Sequence, residues 1–298
     1  MWVFGALVSS FLLGIYNIFQ KTALNKNAVL SVLFVSTALS ALLFVPLIVA
    51  SAIGLIPQQN FFYVPHGDLD THLHTMLKAV IVFSSWFCGY YAIKHLAITL
   101  TGPIKASQPI FTLVGATLIL GEHLNLYQWI GVSVAVASLF LMNITGKKEG
   151  VNFKSNKYIW LLFLSVLFGA VSALYDKYLM LRYDRMFVQS WFLLYQTILT
   201  GVFFLSLYRN PTFGTTPYRW KVSILFIAVF LSFADLAYFW ALSQPGAMIS
   251  IVSMIRRSSV LVSFWGGVFI LKEKNIKGKI FDLMLIIIGL VFLYIGSK

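Results

Sequence analysis

Three basic residues lie well inside apolar stretches of this chain: Lys105, Arg256 and Arg257. A cation in membrane hydrocarbon costs roughly 2.5–3.5 kcal/mol on insertion scales, so each needs a partner or a polar cavity. The clearest carboxylate at similar depth is Asp235, which leaves positive charge in surplus. An anionic ligand would balance it, because arginine binds phosphate or carboxylate through paired hydrogen bonds and lysine adds a point charge.

The same cations have a structural alternative. They would bond backbone carbonyls at a broken helix, which Pro109 favours one turn after Lys105, or share Asp235 and water. Asp235 has two interpretations: a fixed counter-ion, which we favour, or a protonatable site that couples transport to a proton gradient. Asp176 and Asp282 lie nearer the ends of their apolar stretches, where solvation or local pairing is expected.

Two polar stripes with the same spacing carry these cations. Steps of three and four residues keep one face of a helix, and each stripe ends at a glutamate where the apolar stretch ends. Gln108 and Ser259 follow the cations by three residues and are predicted to bind substrate with them. The small residues also suit close helix packing, and the two glutamates are interpreted as topological or gate residues. The stripes are Lys105, Gln108, Thr112, Gly115 and Glu122, and Arg256, Ser259, Ser263, Gly266 and Glu273.

A segment rich in histidine and aspartate lies within residues 56–75. Its five polar residues alternate, so an extended chain would place all of them on one side, and these are metal-ligand types. Short polar loops produce such alternation by chance, and no metal or cofactor is predicted. The single cysteine, Cys88, excludes a disulfide or a Cys-based metal site within one chain. The alternating residues are His66, Asp68, Asp70, His72 and His74.

The elements that position these residues must lie in a membrane. The chain is 59% hydrophobic and 10% charged, whereas a soluble domain carries about 25% charged residues. About 20 apolar residues span the hydrocarbon. Ten such runs predict an all-α protein with ten transmembrane helices. They lie at roughly 2–20, 28–55, 76–94, 98–121, 126–144, 158–179, 187–208, 221–243, 246–271 and 279–296.

The net charge of +13 comes from basic residues between the apolar runs. It therefore indicates membrane topology rather than nucleic-acid binding. Most of these residues lie in alternate loops, which the positive-inside rule assigns to the cytoplasm. Lys78 is one of the few basic residues on the opposite side. We expect both termini outside, in a bacterial inner or plasma membrane.

The two halves align at an offset near 151 residues, and five spans per half invert the second half relative to the first. This is the inverted-repeat plan of many secondary transporters, with substrate bound near the midplane. The predicted units are a first five-helix repeat at 1–145, a basic loop at 146–157 and a second repeat at 158–298.

The ends of spans 4 and 9, Leu120-Gly121-Glu122 and Leu271-Lys272-Glu273, resemble the drug/metabolite transporter superfamily with its EamA-like repeats. Within spans 4 and 9, the stretches at 103–111 and 254–260 resemble triose-phosphate and nucleotide-sugar translocators. That resemblance implies that Lys105, Arg256 and Arg257 hold a substrate phosphate.

The chain departs from the translocators at two places. Gly102 replaces a histidine of that family, and Ser232 or Phe233 replaces its substrate-binding tyrosine. The sugar-side contacts are therefore not implied.

These observations predict a secondary carrier of a small anionic metabolite, phosphorylated or carboxylated, that works by alternating access. The alternative is a proton-coupled exporter of amino acids or cationic drugs, with Asp235 as the coupling site. No enzyme motif is present, so an enzyme is not expected. The predicted partners are the substrate and the lipid bilayer, and a homodimer stays open.

Overall fold

The computed structural model describes residues 2–120, 125–127, 129–131, 133–134, 137, 156–207, 216–247, 249–270 and 276–296. Within these residues all regular structure is helical, as predicted. Six helices (α1, α2, α3, α6, α7 and α8) are long and apolar enough to cross a membrane, as expected for a multi-pass membrane protein. The helices are α1 Trp2–Leu24, α2 Val29–Ala52, α3 Leu69–His95, α4 Ile98–Ala106, α5 Gln108–Leu120, α6 Lys157–Arg182, α7 Arg185–Leu207, α8 Val222–Ser243, α9 Ile249–Arg257, α10 Ser259–Phe269 and α11 Ile276–Gly296.

Helix α3 begins well before the apolar run that predicted it. The Asp68 side chain accepts the Thr71 backbone N–H at 2.9 Å and caps the helix at Leu69. A cap of this kind satisfies a backbone donor that the first helical turn leaves unpaired. The polar first turns are therefore helical, and Lys78 lies more than two turns inside α3.

The predicted spans 4 and 9 are each broken at one serine, Ser107 or Ser258, which separates α4 from α5 and α9 from α10. Each serine hydroxyl donates to the carbonyl three residues earlier, Ile104 at 2.6 Å and Ile255 at 2.7 Å. Pro109 follows only the first break, so the serine is what the two breaks share. Lys105 and Arg256 each lie two residues before their break.

The helix ends define two faces of the bundle. Basic residues gather where α1, α3 and α7 end and α6 and α8 begin, and we call this end the basic face. The His–Asp face is the opposite end, where α3 and α7 begin and α6 and α8 end. His95 stacks on Tyr158 at the basic face with ring centroids 3.9 Å apart, and Arg185 contacts Ser243 at the His–Asp face. Because α1 starts at the His–Asp face and α6 at the basic face, the second half is inverted.

Packing between the halves follows this inversion. The first helix of each half lies antiparallel to the third helix of the other, α1 on α8 and α6 on α3. Lys21 on α1 donates to the carbonyl oxygen of Leu96 at 2.6 Å, just past the end of α3. Lys177 on α6 donates to the carbonyl of Ala247 at 2.9 Å, just past the end of α8. The repeat is therefore visible in single side-chain contacts.

Glycines of the repeat lie where helices approach closely. A Cβ on Gly115 would come within 2.5 Å of Leu174, and one on Gly266 within 2.1 Å of Ile18. Small residues allow such approach in membranes, so the packing interpretation holds for these two positions. Most of the predicted span at 126–144 and of the basic loop at 146–157 lies outside the described residues.

Candidate functional site

A central cavity of about 160 Å³ lies between the two halves. An apolar cavity of about 150 Å³ is large enough to bind benzene, so a small metabolite has room here. It is lined by α1, α3 and α4 of the first half and by α6, α8, α9 and α10 of the second, with Gln108 of α5 and Phe192 of α7. All six predicted site residues line it: Lys105, Gln108, Asp235, Arg256, Arg257 and Ser259.

Asp235 and Arg256 form an ion pair in the cavity wall. Arg256 also lies over the ring of Tyr238, with its guanidinium carbon 4.2 Å from the centroid. All three residues belong to α8 and α9 and so to the second half. Arginine keeps its proton in proteins, so this carboxylate has a permanent cationic neighbour.

A second ion pair joins Lys78 of α3 to Asp176 of α6. Both residues are buried, with 3% and 5% of their surfaces exposed. The Lys78 ammonium lies 4.7 Å from the Phe192 centroid and 4.8 Å from that of Phe239. The sequence interpretation of Lys78 as a cation beside the membrane was therefore wrong. Of the two alternatives for Asp176, solvation is wrong and pairing is correct, with a partner on the other half.

The cause of that error is the early start of α3. An apolar run beginning near residue 76 makes Lys78 a flanking residue, whereas a helix from Leu69 places it deep in the bundle. The early start of α3 could have been predicted from the sequence Asp68-Leu69-Asp70-Thr71, because an aspartate directly before a helix is a typical N-terminal signal.

The remaining two cations of the cavity are Lys105 and Arg257. Among the described residues, no carboxylate lies within ion-pair distance of either one. Arg257 Nε is buried without a hydrogen-bond partner in that part of the chain. The described lining therefore carries two positive charges beyond its carboxylates, as the sequence predicted, although four cations and two carboxylates produce the surplus.

Gln108 and Ser259 lie at equivalent places just past the two breaks. A Cβ on Gly169 would come within 2.6 Å of Gln108 Oε1, and one on Gly14 within 2.9 Å of the Ser259 carbonyl oxygen. Each residue therefore packs closely against a glycine of a facing helix and also lines the cavity. Glu122 and Glu273, which were interpreted as gate residues, lie outside the described residues.

The His–Asp segment is helical from Leu69, so the extended geometry assumed for its alternation is wrong. No group of three potential metal ligands was found among the described residues. His72 Nδ1 lies 2.6 Å from the Tyr195 hydroxyl, and His74 Nδ1 lies 2.6 Å from that of Tyr175.

Two groups outside the spans have perturbed pKa values at this face. The Thr71 hydroxyl and backbone N–H donate to Asp68 and lower the pKa of its carboxyl. The Tyr183 hydroxyl donates to Asp70, which raises the pKa of Tyr183 to about 12. The segment therefore caps α3 and bonds it to α6 and α7.

The cavity extends toward the basic face and stops short of the other. On α3, its described lining runs from Lys78 to Ile93, near the basic end of the helix. On α6, it ends at Asp176 in the other direction. Lys78, Asp176, Phe192 and Phe239 thus form its floor on the His–Asp side.

A polar, charged cavity between inverted helical halves is typical of membrane transporters, and it assigns the chain to that class. The sequence matches the EamA-like transporter family over residues 1–144 and 156–295, and the chain belongs to that family. This confirms the resemblance to the drug/metabolite transporter superfamily and the two-repeat plan. It also makes the chain a transporter by family.

A solved structure shares this fold. It is a crystal structure of a protein 12% identical in sequence, with a TM-score of 0.65, and the alignment covers 100% of this chain and 97% of that one. At that identity the likeness concerns the fold alone. No curated protein matches the sequence.

Proposed function

We propose that this transporter carries a small anionic metabolite, phosphorylated or carboxylated, and that Lys105 and Arg257 bind its negative group. The observation that carries the proposal is the charge surplus of the cavity. Both described carboxylates of the lining are engaged by Lys78 and Arg256. An anion would supply the missing counter-charge through bonds to a lysine and a forked guanidinium.

Arg256 has a different role from the one that the resemblance implied. Its pairing with Asp235 and its contact with Tyr238 hold it in the cavity wall. In this arrangement Arg256 supports the site electrostatically, while Arg257 is available to a ligand. Gln108 and Ser259 lie beside the breaks and contribute polar contacts.

The exporter alternative requires a carboxylate that is available for a cation or a proton. Asp235 lies against an arginine, so its pairing favours the counter-ion interpretation over a coupling site there. Transport of the anion would proceed by alternating access, with the inverted halves rocking around a site near the midplane.

The direct test is ligand binding by the purified protein. We would screen thermal stability against organic phosphates, dicarboxylates, amino acids and cationic drugs, because a ligand that binds the native state raises apparent stability. An anion should stabilise the wild type, and Lys105→Gln and Arg257→Gln should each weaken its binding at least about tenfold, the effect of roughly 1.4 kcal/mol.

Lys26→Gln is the matched control, because Lys26 is exposed at the basic face and outside the cavity. Unchanged anion affinity in both cavity variants would contradict the assignment of these residues. Stabilisation by cationic drugs alone would favour the exporter.

Orientation is proposed from the positive-inside rule: the basic face is cytoplasmic, and α1 starts on the outside. Impermeant thiol labelling of Lys26→Cys in intact cells tests this, with Leu69→Cys as the residue of the other face. Labelling of Lys26→Cys from outside would reverse the orientation.

A further inference from the structure

Helix α3 of the first half and α6 of the second are joined by polar contacts near the His–Asp face, which we call the α3–α6 ladder. Its rungs on α3 are spaced four residues apart, so they lie on one side of the helix, one turn above another. Each rung contacts α6 or the residue that ends it. The rungs are Asp70 with Tyr183, His74 with Tyr175, and Lys78 with Asp176.

The ladder closes the cavity on one side. Its innermost rung, Lys78 with Asp176, is part of the cavity floor. The α3 residues of the other two rungs, Asp70 and His74, lie nearer the start of α3 at the His–Asp face. Phe192 and Phe239 flank the Lys78 ammonium and complete the closure. A substrate that leaves by this face would have to pass between helices that the ladder holds together.

The two buried ion pairs differ in what they connect. Asp235 and Arg256 both belong to the second half, so their pair can persist when the halves move relative to each other. Lys78 and Asp176 belong to different halves. Among the ion pairs of the described residues, theirs is the one that joins the two halves. Separation of α3 from α6 must break it.

A proton has a different consequence at the two pairs. Either carboxylate can take up a proton and leave its partner cation charged. Protonation of Asp235 would loosen a contact within the second half, whereas protonation of Asp176 would loosen the ion pair that joins the two halves. Asp176 faces Lys78 from α3, Asp235 and Tyr238 from α8, and Arg256 from α9. It also lines the cavity, so water can bring the proton to it.

We propose that Asp176 is a proton-binding site and that its protonation opens the His–Asp end of the cavity. A protonated Asp176 leaves the Lys78 ammonium buried without a counter-charge, which strongly destabilises the closed arrangement. Opening admits water to Lys78 and relieves that cost. The proposal rests on the alternating access of the proposed function and is independent of which anion is carried.

The test measures access to the cavity directly. Val82 lines the cavity one turn beyond Lys78, so Val82→Cys in a Cys88→Ser background reports entry from the His–Asp face. A membrane-impermeant maleimide is added on that side of sealed vesicles. Leu69→Cys, which is exposed at that face, gives the vesicle orientation and the intrinsic pH dependence of labelling, and every Val82→Cys rate is divided by it.

With the native ladder, the normalised labelling rate should rise by up to about tenfold per pH unit as pH falls from about 8 to about 6, following the protonated fraction of Asp176. Asp176→Asn, which resembles the protonated acid, should label fast at every pH. Lys78→Met combined with Asp176→Asn removes both charges and should also lose the pH response, which keeps the test valid if the single variant does not fold.

Asp70→Asn and His74→Gln are the matched controls, because they change the outer rungs and leave Asp176 in place. Both should retain the pH response. The proposal is overturned if the native ladder shows no pH response, if Asp176→Asn or the double variant retains it, or if His74→Gln abolishes it. A failure of anion binding at Lys105 leaves this readout unchanged, so the two proposals fail separately.

Discussion

Two interfaces occupy equivalent places in the inverted arrangement but differ in chemistry. Near the His–Asp face, the α3–α6 ladder joins the halves through an ion pair and two bonds to tyrosine hydroxyls. Near the basic face, α1 packs on α8 through stacked rings. Phe19 lies 4.7 Å from Phe226 and 5.6 Å from Phe230, measured between ring centroids.

The difference shows how a duplicated fold can join its two halves by different means at its two ends. Stacking of phenylalanine rings depends on dispersion and area and has no titratable group. The ladder depends on charges and hydrogen bonds that protons change. The two ends should therefore respond differently to substitution and to pH.

The largest effect is expected from Lys78→Met. The substitution leaves Asp176 buried without its partner, and breaking a buried pair costs about 3–5 kcal/mol. Adding Asp176→Leu should recover most of that loss, since a buried pair replaced by apolar residues is often neutral. Denaturant unfolding in detergent measures both, with Arg182→Gln as the exposed control. Equal stability of Lys78→Met and wild type would show that the Lys78–Asp176 ion pair does not stabilise the interface between α3 and α6.

Phe19→Leu should have an intermediate effect. It removes two ring stacks, each worth about 0.5–1.5 kcal/mol, so a loss of about 1–3 kcal/mol is expected. The loss should be the same at pH 6 and pH 8, because no group of the α1–α8 stack titrates there. The same unfolding measurement at both pH values checks this, with Phe11→Leu as the control, since Phe11 is exposed. If the stability loss of Phe19→Leu clearly depended on pH, the proposed difference between the two interfaces would be wrong.

A smaller effect is expected from Asp70→Asn at the outermost rung. The rung is largely exposed, and exposed polar contacts contribute at most about 1 kcal/mol. The sharper readout is Tyr183, because Asp70 raises its pKa to about 12. The substitution should return that pKa toward the ordinary tyrosine value, as measured by NMR titration with labelled tyrosine. An unchanged Tyr183 titration in Asp70→Asn would contradict the hydrogen bond between Tyr183 and Asp70.

The smallest effect concerns the cap of α3. Hydrogen bonds from Thr71 lower the pKa of Asp68 below 3.8, so the cap stabilises the folded protein above the ordinary aspartate pKa. That stabilisation is lost as pH falls through the lowered value. Asp68→Asn still caps a helix but should not show this acid dependence. Hydrogen exchange of the Thr71 amide below about pH 4 measures the difference, and identical acid dependence in both proteins would contradict it.

Much of the architecture follows from sequence periodicity and repeat spacing. Apolar runs predicted all six long helices, and the offset of 151 residues aligned Lys105 with Arg256 across the two broken spans. The same offset aligns Ser107 with Ser258, where the breaks occur. These features are local or repeated, so a single chain records them.

The floor of the cavity was not predictable in the same way. Lys78 and Asp176 lie 98 positions apart on different halves, and each one alone resembles an ordinary charged residue near a span end. Their pairing depends on the length of α3 beyond its apolar core and on the antiparallel contact with α6. Hydropathy predicts neither the length of α3 nor its contact with α6. The cap at Asp68 does indicate where α3 begins.

Lys21 and Lys177 carry a lesson for membrane topology. Each ammonium is bound to carbonyl oxygens beyond a helix end, so its charge is largely occupied by the protein. Because the second half is inverted, one of these lysines lies toward the basic face and the other toward the His–Asp face. A count of cations would therefore count Lys177 as evidence against the proposed orientation. Basic residues that direct membrane insertion are therefore distinct from basic residues that bind carbonyl oxygens within the protein. The contacts in the structure distinguish the two kinds.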